Sequence, residues 1–169
     1  MVASHKKALE DKSMVKTNAM RLLEQANVNF KTVEYEVDED DLSGVHVAEQ
    51  TGQPVEQVFK TLVTKGEKKG YMVFCIPVAE ELNLKKAAAI VGDKKIEMLP
   101  VKDLLPLTGY IRGGCSPVGM KKKFPTYIDE TAILFDEIVI SAGVRGCQMV
   151  VNREQILEYL EAELADLVV

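Results

Sequence analysis

The sequence predicts an α+β domain, and three observations carry that prediction. Two apolar strand-like runs, "VFKTLVTK" (58–65) and "YMVFCIPV" (71–78), are joined by "GEKKG", the pattern of a β-hairpin. Amphipathic helical stretches fall between such hairpins without the strict alternation of a βαβ series. At 169 residues the chain is long enough for one domain with a proper core and short for two.

Taken in order, residues 1–11 read as a flexible tail and 12–169 as the domain. "KSMVKTNAMRLLEQANV" (12–28) is an amphipathic helix, with Ser13 as its cap and Val15, Ala19, Leu22, Leu23 and Ala26 at helical spacing. "FKTVEYEV" (30–37) alternates as a half-buried strand does, and "DEDDLSG" (38–44) is an acidic loop. "VHVAEQTG" (45–52) is a short helix stopped by glycine, after which "PVEQ" (54–57) starts a further helical turn. Beyond the hairpin, "NLKKAAAIVG" (83–92) is a glycine-stopped helix, "KKIEML" (94–99) a short strand, and "PVKDLLPLTG" (100–109) a helix with proline in its first turn. "PTYIDE" (125–130), "EIVISAG" (137–143) and "CQMVV" (147–151) read as strands, and "NREQILEYLEAEL" (152–164) as a final Asn-capped helix.

Composition excludes several classes. The longest apolar runs, "VFCIPVA" (73–79) and "IVISAGV" (138–144), fall far short of the roughly 20 residues of a membrane span. The charged N-terminus has no apolar h-region, so a cytoplasmic protein that meets no membrane is expected. Three widely spaced cysteines suggest no disulfide framework, and with only two histidines beside them no metal-ligand set or cofactor site is expected. A net charge of −5 argues against gripping nucleic acid over the whole surface. The charge is uneven, however: residues 60–123 hold thirteen Lys and Arg against six Asp and Glu, enough for one basic face or for scattered solvated lysines.

The segment "GYIRGGCSPVGMKKKF" (109–124) packs four glycines ahead of three lysines. Gly114 and Gly119 have P-loop spacing, yet Met120 and Lys121 stand where Lys and Ser/Thr are required. Ser116 is followed by Pro117 and Val118, so the glycine of a nucleophile elbow is misplaced. Pro117 and Gly119 oppose the helix start a dinucleotide fingerprint needs. What remains is main-chain chemistry: Gly113 and Gly114 can form either a tight structural turn or a nest that turns consecutive N–H groups on an anionic oxygen.

The ordered set "FKT" (59–61), "LNLKKAAAIVG" (82–92), "TGYIRGGCSPVGMKKKFPTYID" (108–129) and "VISAGVRG" (139–146) closely resembles the YbaK family. These are freestanding editing proteins that hydrolyse mischarged aminoacyl-tRNA, also called prolyl-tRNA-synthetase-associated or EbsC-like proteins. The resemblance spans residues 15–168 and implies a curved mixed sheet with flanking helices. It further implies cleavage of the ester between a wrong amino acid and tRNA, typically Cys on tRNA(Pro). In the proteins it resembles the substrate thiol attacks in place of an enzyme nucleophile and no metal takes part, so the resemblance implies the same here. Related proteins remove Ala instead, and some are regulators that bind a ligand or partner without turnover.

On this resemblance Lys60 matches the family's essential lysine, and Gly113 and Gly114 supply oxyanion N–H groups. Strand period sets Lys60 on one face with Val58 and Leu62, with Phe59 and Thr61 opposite. Tyr35, Ser116, Ser141 and Gly143 match substrate-pocket positions, although Ala142 interrupts the usual Ser-Gly-Gly. Gln148 is expected in the same substrate-binding set, although it stands where several relatives carry aspartate. Lys85, Lys86, Lys121, Lys122 and Lys123 are expected along the acceptor end of an aminoacylated tRNA, whose identity a prolyl-tRNA synthetase partner would help to read. Cys115 has no histidine partner in any motif and is expected to be structural.

Overall fold

In the computed structural model residues 16–169 are described, so the expected tail, Ser13 and Val15 lie outside the described residues. The first helix, α1, runs Asn18–Gln25 with Thr17 as its N-cap, accepting from the Met20 N–H. It starts later than the periodicity suggested because Thr17 is extended, and Asn27 at φ 58° follows its end. β1 (Phe30–Glu34) ends before Tyr35, whose N–H still donates to the Gly146 carbonyl. α2 (Gly44–Thr51) is capped by Ser43 and stopped by Gly52, while 54–57 forms only a turn closed from Gln57 N–H to Pro54 O.

The hairpin is the frame of the sheet. β2 (Phe59–Gly66) pairs antiparallel with β3 (Gly70–Pro77) along its whole length. Asp93 braces its turn, accepting from the Lys68 and Lys69 N–H groups at 3.0 and 2.8 Å. α3 (Leu84–Val91) is capped by Asn83 and ended by Gly92, and β4 (Ile96–Met98) returns to pair with the far end of β2. α4 (Val101–Thr108) follows Pro100, and β5 (Thr126–Asp129) then lies parallel to β3.

β6 (Glu137–Val144) and β7 (Cys147–Asn152) form a second hairpin, irregular between Ser141 and Val144, with β1 on its outer edge. α5 (Arg153–Leu160) is shorter than the sequence pattern promised. Glu161 turns left-handed at φ 53°, Ala162 N–H reaches back to Leu157 O, and Glu163–Ala165 becomes β8 beside β5. An edge strand wins there because β5 offers an unpaired edge. The two strand groups, β1-β7-β6 and β4-β2-β3-β5-β8, meet through a parallel bridge from Val58 to Val139, giving a mixed, open sheet.

β3 is buried on both faces, so its sequence reads as a continuous apolar run. Val73 and Cys75 join Leu23, Phe59, Ile140, Met149 and Ile156 in the main core. Met72, Phe74 and Ile76 pack with Ala87 of α3 and with Leu167. Leu167 is itself tied down, its N–H donating to the buried Asp129 carboxylate at 3.0 Å, while Asp129 also accepts from the Thr131 hydroxyl at 2.6 Å. Replacing Asp129 with Ala strands these donors, so a loss of about 1–3 kcal/mol is expected in urea unfolding.

Candidate active site

The sheet topology itself opens a cavity. β4 pairs with β2 from Thr64 onward, Leu99 N–H donates to Val63 O, and β6 is bridged to the chain at Val58, just before β2, so the β2 edge between them carries no paired strand. A cavity of about 460 Å³ lies along that edge, closed by the start of α2, the start of α4 and the glycine segment. Phe59, Thr61 and Val63 line it together with Lys60, Val58 and Leu62. The cavity follows the strand's free edge and so draws on both faces, while the packing keeps the expected division: Phe59 and Val63 lie in the main core, and Leu62 packs with Phe74 on the other side of the sheet.

Lys60 is half-buried in this cavity with no hydrogen-bond acceptor and no carboxylate within 4 Å among the described residues. Burial draws its ammonium below the usual lysine range, and the more distant Glu81 and Glu80 pull it back. An ammonium without a partner is poised for an anion brought by a ligand.

Gly113 and Gly114 part company. Gly113 has φ +87°, lines the cavity, and its N–H meets no backbone acceptor among the described residues. Gly114 is buried outside the lining, and its N–H is spent on Ile111 O at 3.0 Å. Its lack of a side chain serves close approach: a Cβ would stand 3.0 Å from Arg145 N and Val144 C. The expected two-donor nest is thus one free donor resting on one packing glycine. Arg145 fastens the segment from outside, its Nε donating to Arg112 O at 2.9 Å.

Tyr35, Ser141 and Gln148 line the cavity. The Ser141 hydroxyl accepts from the Gly143 N–H at 3.1 Å. Ser116 and Gly143 do not line it. Ser116 is fully buried and its hydroxyl accepts from Val118 N–H, which makes it a brace within the loop. Gly143, at φ +96°, lies under the Tyr110 ring, where a Cβ would stand 2.9 Å from the ring; the Tyr110 hydroxyl donates to Val118 O. Both residues shape the loop, and neither borders the cavity.

None of the five expected tRNA lysines borders the cavity. Lys86 pairs with Asp166 at 3.0 Å, Lys123 with Glu161 at 2.8 Å, and Lys121 donates to Pro106 O. Lys122 and Lys123 instead border a second depression of about 350 Å³ beside α1 and α5. The cation at the rim is Arg112, which sequence reasoning passed over; its only signal was a charge set immediately before Gly113.

Cys115 belongs to the cavity wall, yet burial, with Cys75 close by, pushes its thiol up to about 12. His46 is outside the lining and paired with Asp38 at 3.0 Å. The lining holds no carboxylate, and no thiolate–imidazole pair forms there. Cys115→Ala is expected to keep wild-type turnover on any ester the site cleaves, measured by release of the acyl group; a folded but inactive variant would restore a nucleophilic reading.

Comparison with known proteins points to one family. The family described as the aminoacyl-tRNA editing domain matches residues 42–159. The chain is 50% identical over 156 residues to the proposed Cys-tRNA(Pro)/Cys-tRNA(Cys) deacylase EbsC of Enterococcus faecalis, covering 92% of this chain and 95% of that protein. It is 28% identical over 123 residues to the proline–tRNA ligase of Thermosipho melanesiensis, which is 73% of this chain but 21% of that enzyme. The crystal structure of a proposed trans-editing enzyme for prolyl-tRNA synthetase superposes with a TM-score of 0.77 at 27% identity, over 92% of this chain and 99% of that one.

Proposed function

This chain belongs to the aminoacyl-tRNA editing domain family, and on that premise we propose that it is a cytoplasmic trans-editing deacylase that removes Cys from tRNA(Pro). The observation that carries the reading is the pairing of an unpartnered Lys60 ammonium with a free Gly113 N–H on one cavity whose lining holds no activated nucleophile, the Cys115 thiol being pushed up to about 12.

The chemistry suits a substrate that supplies its own attacking atom. The cysteinyl sulphur attacks the ester carbonyl, a carbon–sulphur bond forms, and the bond to the ribose oxygen breaks. The thiol proton ends on that oxygen, and water then opens the resulting thiolactone. As the carbonyl oxygen takes on negative charge, the Gly113 N–H hydrogen-bonds to it while Lys60 neutralises the charge nearby. Arg112 and Lys60 meet the phosphates of the terminal nucleotides, and Lys121, Lys122, Lys123, Lys85 and Lys86 lie further along the acceptor arm. Prolyl-tRNA synthetase supplies the identity check that so small a domain leaves open.

The test is incubation of purified protein with labelled Cys-tRNA(Pro), Ala-tRNA(Pro) and Ser-tRNA. Loss of Cys with Ala retained is expected, because a methyl group cannot attack. Loss of Ala with Cys retained would replace the thiol-assisted reading with Ala-specific editing. Tight binding with no ester lost in any case would leave a regulatory binding module.

A further inference from the structure

The free Gly113 N–H belongs to a peptide whose other end is held. Gly114 N–H donates to Ile111 O at 3.0 Å, closing a β-turn over 111–114 with Arg112 and Gly113 at its centre. Arg112 is not among the residues at positive φ, while Gly113 stands at +87°, the combination of a type II turn. A type I turn keeps the same closing bond but rotates the central peptide, so that its C=O and N–H exchange sides. Glycine tolerates either sign of φ, so residue type does not forbid that rotation.

Arg145 meets this peptide from outside the cavity. Its Nε donates to Arg112 O at 2.9 Å, and Arg145 is absent from the cavity lining. Arg112 O and Gly113 N–H share one trans peptide and point in opposite directions. Fixing the oxygen outward therefore fixes the donor inward, on the side where Gly113 forms the wall. The donor to the oxygen is charged, so the bond also polarises the peptide and strengthens the N–H at its far end.

The seat of Arg145 is firm. It occupies the tip of the β6–β7 hairpin beside Gly146, whose carbonyl accepts from Tyr35 N–H at 2.9 Å. Its side chain passes 3.2 to 3.8 Å from the point a Gly113 Cβ would take, and its main chain lies against Gly114. The outer end of the guanidinium reaches Glu39 at 3.8 Å, and Glu39 is 79% exposed, so that pair holds little. The contact with consequence is the one to Arg112 O.

We propose that Arg145 is a positioning residue that holds the Arg112–Gly113 peptide in its type II orientation, with the N–H turned into the cavity toward the developing oxyanion. This rests on reading the cavity as an aminoacyl-ester site. Arg145 touches no part of the ester in this role and acts only through the peptide.

The test pairs rate with orientation. Arg145→Met keeps a stem against Gly113 and removes the donor. On Cys-tRNA(Pro) its kcat is expected to fall about tenfold, a fraction of the roughly 10²–10³ that outright loss of an oxyanion donor costs. KM is expected to stay unchanged, because the contact forms only in the transition state. Arg145→Lys, which restores a charged donor, is expected to recover part of that loss. Orientation is read by NMR: the NOE between Arg112 Hα and Gly113 HN is strong when the Arg112 ψ is near about +120° and weak near about −30°. A strong cross-peak in wild type is expected to weaken in Arg145→Met. Exchange protection of the Gly114 N–H should persist, which separates a rotated peptide from a loop that has come apart. A weak cross-peak in wild type, an unchanged one in Arg145→Met, lost Gly114 protection, or a raised KM at constant kcat overturns the proposal. Wild-type turnover with an unmoved rate in Arg145→Met sinks this inference alone. No turnover by wild type on any charged tRNA sinks the deacylase reading, and the NOE comparison then decides the orientation by itself.

Discussion

Lys60→Ala is expected to lower the deacylation rate at least about a hundredfold while the far-UV spectrum and melting transition stay native, the scale of removing one group that stabilises transition-state charge. The cavity offers no second ammonium at that point on β2, and Arg112 enters from the rim. Single-turnover hydrolysis of labelled Cys-tRNA(Pro) measures it, and wild-type rates would remove Lys60 from the site. A pH signature accompanies the loss. Because burial lowers the Lys60 pKa, enzyme-dependent turnover should fall at a less alkaline pH than an ordinary lysine would give. Lys60→Arg, where the charge persists, should move that decline upward. The stability sign is opposite to that of a paired lysine. The unfolded chain holds this proton more tightly than the folded one, so the charged form costs stability below the folded pKa. That cost is relieved as pH rises toward the unfolded value. Lys60→Met is therefore expected to be inactive yet slightly more stable at neutral pH.

Gly114→Val is expected to destabilise the fold by about 2–3 kcal/mol, a fall of about 4–12 °C in melting temperature for a chain of this size. The atoms a Cβ would crowd, Arg145 N and Val144 C, are main chain of the β6–β7 hairpin and cannot rotate aside. Yielding instead, the loop would carry Gly113 and Arg112 away from β2 and uncouple the free N–H from Lys60. Activity should thus fall more steeply than the unfolded fraction alone accounts for, tested by assay well below the transition. Gly113→Ala serves as the contrast: it strains a φ of +87° and leans on the flexible Arg145 side chain, so it should cost less stability.

Much of this molecule was legible in one dimension. The β2–β3 hairpin, the glycine stops at Gly52 and Gly92, and the Asn152 cap are local events that read directly from residue type and spacing. The end of α5 was not. "LEAEL" continues a helical pattern, and only the vacant edge of β5 draws it into a strand.

The candidate site divides in the same way. Lys60, Gly113, Tyr35, Ser141 and Gln148 were named from motifs, and the fold gathers them on one cavity. Ser116, Gly114 and Gly143 lay in the same motifs, yet they are braces, because a motif does not record which N–H is already spent or which side chain faces inward. The lysine pairs likewise looked like one basic path, but Asp166 and Glu161 arrive from the C-terminal end to pair with two of them. By itself the sequence determined the α+β class, most element positions and the chemical kind of residue at the site, since these depend on neighbours along the chain. Which edge of β2 stays open and which glycine keeps a free donor were decided only by tertiary packing. Each depends on what distant segments have already covered.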